Sequence, residues 1–166
     1  MAYTGEVLDQ CGVLNIDLSR VEVVVVSGDG PNVCGHMLLR GGSSSGGTYY
    51  HVSEFRDQPR YMSETGYRRY LRESGKRELR RIALTLPDPR AAEAYLEDLL
   101  ANTWQWGVLP NNCVAFVEEV IHAGGGTWGS YSNCPDLATQ DTISTRIQRF
   151  LGQLENEIYG LYGVPR

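Results

Sequence analysis

The chain is poor in histidine and lysine. Its 166 residues include three histidines and one lysine, Lys76. Histidine is the side chain that changes charge near neutral pH, so the choice of a base is narrow from the start. The lone lysine reflects composition rather than mechanism. Only four cysteines are present, Cys11, Cys34, Cys113 and Cys134. They form no CxxC pair and no zinc spacing, and nothing in their order demands the two disulfides that four thiols permit. No stretch reaches the roughly 18 apolar residues of a membrane span. The start, Met1-Ala2-Tyr3-Thr4-Gly5-Glu6, lacks the charged opening and apolar run of a signal peptide. The expectation is therefore a cytoplasmic chain, or one exported by a route that uses no such signal. Positive charge is also in deficit. A net charge of −5 argues against general affinity for nucleic acid.

What is present suits one soluble domain, residues 1–166, with 42% apolar residues to build a core. Residues 1–18 read as a short strand or packed arm. Arg20 to Val26 reads as a strand, because its four consecutive valines are stiff at χ1 and suit a buried pleated surface. A second strand is expected from about Val33 to Arg40 and a third from Thr48 to Phe55. The glycine-serine run 41–47 joins them as a hairpin. Residues 59–74 read as a helix with Tyr61, Met62, Tyr67, Tyr70 and Leu71 on one side. Glu78 to Leu86 is the next strand. Asp88-Pro89 opens a helix as N-cap and first helical residue. A last helix is expected over 141–160. The fold class is α+β.

One stretch carries the chemistry. Cys113, Phe116, Val117, Val120 and Ile121 recur at helical spacing and define one apolar face. Asn111 or Asn112 is a good N-cap, Pro110 blocks an earlier start, and Gly124 to Gly126 ends the helix. Cys113 then lies in the first turn, where unpaired N–H groups and the helix dipole favour a thiolate and lower a thiol pKa. With a histidine alongside, this is the apparatus of a thiol hydrolase or acyltransferase. The competing reading is a structural cysteine packed as a small hydrophobe.

Of the histidines, His122 lies nine residues after Cys113 on the same helix. That is about 13 Å along the axis and on the opposite side, so it helps end the helix instead. His36 and His51 lie on adjacent strands. A hairpin turning near Ser43 and Ser44 would set them directly opposite each other, close enough for their rings to interact. The bland alternative is two polar residues on a solvated face.

The order Gly35-His36, then His51, then Asn112-Cys113-Val114-Ala115-Phe116-Val117 resembles the circularly permuted papain-like enzymes. The group concerned is the NlpC/P60 superfamily, and its lecithin:retinol acyltransferase-like members in particular. The pattern covers roughly residues 20–125, and the Asn-Cys motif is its specific part. The resemblance implies a small antiparallel sheet packed on helices and a nucleophile at a helix N-terminus. It assigns Cys113 as nucleophile, His36 as base and His51 as the orienting third residue. Asn112 supports the oxyanion region, and no metal or organic cofactor is implied. The helix over 141–160 is not implied, and the apolar tail anchor of some acyltransferases is missing.

The expected activity is hydrolysis of amide bonds through an acyl-enzyme, in peptides or in the stem peptides of bacterial cell wall. Such a chain would suit a delivered effector or toxin with a cognate inhibitor protein. A phospholipase or acyltransferase acting on lipid acyl esters would use the same residues. Trp104, Trp106 and Tyr49 are the aromatic candidates for substrate contact. A third possibility is a binding module. Ten of the fifteen Lys/Arg residues lie between Arg56 and Arg90. The run Arg68, Arg69, Arg72, Lys76, Arg77, Arg80 and Arg81 would then hold an anionic partner, or else form a solvated face.

Overall fold

The computed structural model describes residues 2–8, 14–28, 35–43, 46–53, 58–104 and 112–127. The chain divides at Pro135, and every described residue belongs to the unit that precedes it. The expected helix over 141–160 lies outside the described residues, as do Cys11, Cys34, Cys134, Trp106 and Asn111.

Six strands form one antiparallel sheet among these residues: β1 (Glu6–Val7), β2 (Val21–Val26), β3 (His36–Ser43), β4 (Gly46–His51), β5 (Arg60–Ser63) and β6 (Glu78–Leu84). Their order across the sheet is β1-β5-β4-β3-β2-β6. Three helices accompany them: α1 (Glu64–Glu73), α2 (Pro89–Ala101) and α3 (Cys113–Ala123). The class is thus α+β.

The valine run of β2 is buried because the sheet is covered on both faces. Val21, Val23 and Val25 join Met37, Leu39, Tyr50 and Val52 against α2 and α3. Val24 and Val26 point the other way and pack with Leu38, Tyr49, Met62, Tyr67 and Tyr70, the last two from α1. A central strand sandwiched in this way reads as continuous hydrophobicity rather than alternation. The broken alternation of β6 has its own cause. The β2–β6 register slips between Val25, opposite Arg80, and Val26, opposite Glu78. The extra residue at this bulge, Leu79, turns toward the α2/α3 core together with Leu84.

Two expectations need correction. The stretch expected to be helical from residue 59 begins as a strand. Arg60, Tyr61 and Met62 pair with His51, Tyr50 and Tyr49, and the helix starts only after Ser63, whose hydroxyl accepts from Gly66 N–H. Tyr61 and Met62 fit a helical stripe locally, but pairing with β4 is non-local and overrides that preference. The hairpin also turns one residue later than expected. Ser43 pairs with Gly46 and Leu39 with Tyr50, so the register carried forward sets His51 across from Leu38 rather than His36. A displacement of two residues keeps both histidines on the same face, since side-chain direction repeats every two residues.

Candidate active site

Cys113 stands where the sequence puts it, as the first residue of α3. Asn112 is extended and caps the helix, its side-chain oxygen accepting from Val114 N–H at 2.9 Å and Ala115 N–H at 3.1 Å. Asn112 therefore supports the helix start, and its oxygen is occupied by the backbone. Cys113, Phe116, Val117, Val120 and Ile121 are all buried, and Cys113 is a free thiol. The helix ends on glycines, with Gly125 N–H donating to the His122 carbonyl at 2.9 Å. His122 is exposed at that end, far from Cys113 in the helix.

The two strand histidines meet. His36 Nε2 lies 2.9 Å from His51 Nδ1, with ring centroids 5.1 Å apart and planes at 78°. They touch as diagonal rather than direct neighbours, a separation that aromatic side chains span. His51 is fully buried, with its ring tilted on Tyr70 of α1. Its other nitrogen, Nε2, lies 2.8 Å from the Thr4 carbonyl oxygen. A carbonyl only accepts, so His51 carries its proton on Nε2. Its Nδ1 then accepts, and His36 donates through Nε2–H. Neutral imidazole has one N–H, which leaves Nδ1 of His36 as a bare lone pair.

The thiol reaches the same end of the sheet. Gly42 N–H donates to the Arg20 carbonyl on the β2 side. Backbone direction alternates along a strand, so the Met37 N–H points toward β4. Pairing between β3 and β4 stops at Leu39 and Tyr50. The Met37 N–H is instead hydrogen-bonded to the Cys113 sulfur, one residue along from His36. Gly35 allows the entry to this strand. Its φ is 77°, and a Cβ there would collide with the Val26 carbonyl oxygen.

The electrostatics correct one expectation. Burial pushes the Cys113 thiol up, and this outweighs the N–H groups of Met37, Cys113 and Val114 and the charge of Lys76, all of which favour the thiolate. The helix start is as expected, but the pKa is not depressed, because desolvation of a buried sulfur is the larger effect. Burial also holds His36 well below the usual imidazole range, helped by His51 and Lys76. Burial brings His51 down to about 4. The Thr4 hydrogen bond opposes that shift, while Arg60 and Lys76 reinforce it. At neutral pH the thiol and both imidazoles are therefore uncharged. Alkylation of Cys113 by iodoacetamide should keep accelerating as pH rises past the free-thiol value of about 8.5. Peptide-resolved labelling against pH checks this, and a plateau below pH 7 would contradict it.

Two of the three aromatic candidates, Trp104 and Tyr49, are committed elsewhere. Trp104 is buried in the core, edge-on to Phe116 at 5.6 Å. Tyr49 is fully buried on the α1 face and stacks on Tyr67 at 4.0 Å. Its hydroxyl lies 2.9 Å from Glu64 and 3.0 Å from Arg81. Neither ring presents a surface to a substrate. The basic segment is likewise paired in good part. Arg69 bonds Glu73 at 2.7 Å, Arg68 lies 3.7 Å from Glu64, and Arg81 bonds both Glu22 and Glu78.

Sequence reasoning missed three contributors. The Thr4 carbonyl and the Met37 N–H are backbone groups, which no residue type advertises. Lys76 had no motif to mark it, yet its charge acts on Cys113, His36 and His51. Among the described residues no group of three His, Cys, Asp or Glu is placed to hold a metal ion, and no helix is long and apolar enough to cross a membrane. Compared with family models, with curated proteins and with solved structures, the chain matches none of them.

Proposed function

We propose that this chain is a cysteine hydrolase of papain-like, NlpC/P60 type that cleaves amide bonds through an acyl-enzyme. The reading rests on the hydrogen-bonded order His36–His51–Thr4, which leaves one imidazole nitrogen unprotonated, together with a helix-start cysteine whose sulfur is bonded to the N–H of Met37, the residue after His36. His36 Nδ1 takes the proton of the Cys113 thiol as the sulfur attacks the carbonyl carbon. The pair rests neutral, so the thiolate forms during attack rather than standing as an ion pair beforehand. The Cys113 N–H, at the start of α3, faces the charge that develops on the carbonyl oxygen. His36 then returns the proton to the leaving amine. Water activated by the same nitrogen releases the acyl group. No step calls for a metal or an organic cofactor.

Peptides and the stem peptides of bacterial cell wall are the proposed substrates. Nothing in the chemistry of the three side chains separates them from lipid acyl esters, which a thiol attacks in the same way. The Arg-rich helix is a weaker basis for function, because Arg68 and Arg69 of α1 already face Glu64 and Glu73. The test is mass spectrometry of peptides, cell-wall fragments and phospholipids after incubation with wild type and with Cys113→Ala. Wild type alone should release product from an amide substrate and gain the mass of an acyl group on Cys113. Products from esters only would move the reading to a lipase or acyltransferase. Equal products from both proteins would end the cysteine mechanism.

A further inference from the structure

We propose that the N-terminal segment is a working part of this site: Gly5 holds the Thr4 carbonyl against His51, and that carbonyl selects which nitrogen of His36 is the base. The proposal rests on the reading of Cys113, His36 and His51 as an active site, and adds a positioning group that lies outside the side chains of the triad.

Thr4 is pinned from both directions. On one side Tyr3 N–H donates to a Glu73 carboxylate oxygen at 2.9 Å, and Arg69 lies 4.5 Å over the Tyr3 ring. On the other side Glu6 pairs with Tyr61 and Val7 with Arg60. Arg60 in turn pairs with His51 on β4. The Thr4 carbonyl thus reaches across β5 to the buried ring. The bend that permits this falls at Gly5, with φ of 101°. A side chain there is disfavoured by the backbone conformation, and its Cβ would stand 3.0 Å from the Tyr61 carbonyl oxygen and 3.2 Å from Arg60 Cβ.

The consequence runs through proton positions. With Thr4 accepting from His51 Nε2–H, His36 must donate through Nε2–H and keeps Nδ1 bare. With the carbonyl displaced, His51 is free to carry its proton on Nδ1. His36 Nε2 would then accept that proton's hydrogen bond, and the one N–H of neutral His36 would sit on Nδ1. A protonated nitrogen cannot take the thiol proton, so the site would hold the right residues in the wrong tautomer. Wrong tautomers in triads cost up to about 10⁴ in rate. Here the carbonyl acts one ring further from the sulfur, so a loss of about tenfold is expected for an outer hydrogen-bonding partner.

The experiment uses full-length protein with ¹⁵N-labelled histidine at neutral pH, reading each ring's tautomer from two-bond ¹H–¹⁵N correlations. Wild type should show both His36 and His51 protonated at Nε2. Gly5→Ala, shown to be folded by circular dichroism, should move His36 toward the Nδ1–H form. Its Cys113 alkylation by iodoacetamide should slow about tenfold. Glu73→Ala releases the Tyr3 N–H without altering the sheet, and should shift the same signal by less. A wild-type His51 protonated at Nδ1 overturns the proposal even if Gly5→Ala does not fold. A folded Gly5→Ala with wild-type tautomers overturns it equally. If the tautomers respond as stated while no acyl group ever appears on Cys113, the hydrolase reading fails and the relay stands.

Discussion

Replacing His36 with alanine should reduce turnover by about 10³-fold, within the range of 10²–10⁴ that a positioned acid or base supplies. The fold should survive, because His36 is only half-buried at the start of β3. His51→Gln should cost less, about tenfold to a hundredfold. Glutamine has both a donor and an acceptor, so it can still bridge His36 and the Thr4 carbonyl in part. His51→Ala should fall between the two. It removes the acceptor for His36 Nε2–H and leaves a cavity where a fully buried ring stood. The measurement is kcat and KM on whichever substrate the mass spectrometry identifies, with urea unfolding of each variant as a control. The loss should lie in kcat, since in the proposed mechanism the histidines act on the proton rather than on binding. A His36→Ala enzyme that keeps wild-type kcat would remove the base from the mechanism.

The histidine pair should also make the protein sensitive to mild acid. Both rings titrate below their ordinary value, His51 at about 4. Between that value and the unfolded value near 6.5, the unfolded chain binds protons that the folded chain refuses. Stability therefore rises with pH in this window and is lost as pH falls through it. For His51 alone the shift corresponds to roughly 3 kcal/mol. Asp17 and Glu78 act in the same direction at lower pH. Hydrogen bonds from Ser19 and from Arg81 hold their carboxyls below the usual range, and that contribution is lost only as the acids protonate. The histidine part is separable by its window. Unfolding free energies from urea titrations at pH 4, 5, 6 and 7 should drop steeply for wild type. The drop should shrink by about 2–3 kcal/mol in His51→Gln, which does not titrate. A variant with the wild-type pH dependence would show that His51 is not held neutral by its burial.

The two effects have one origin. A wholly buried imidazole is kept neutral by desolvation. The proton it keeps is the one that orders His36. In the proposed mechanism, the arrangement that prepares a base at neutral pH thus also makes the fold fragile in acid.

Local signals in the sequence determined the parts of this protein that depend on near neighbours. Asn112 caps α3, Asp88 caps α2 with Pro89 behind it, and the apolar stripe from Cys113 to Ile121 is the buried face. Each rests on residues three or four apart, so the chain itself holds the information. Strand alternation likewise put His36 and His51 on one face, and that survived a register displaced by two residues. Tertiary structure decided what depends on distant partners. Residues 60–63 became a strand because β4 lies beside them, against a pattern that read as helix. Tyr49 and Trp104 became core because α1 and α3 close over them. The carbonyl that orders the relay comes from Thr4, 47 residues from the ring that it touches. The direction of the Cys113 shift was settled by burial, which spacing along a helix does not report. Helix position supplies partial charges that sequence can locate, whereas desolvation depends on everything that packs around the sulfur.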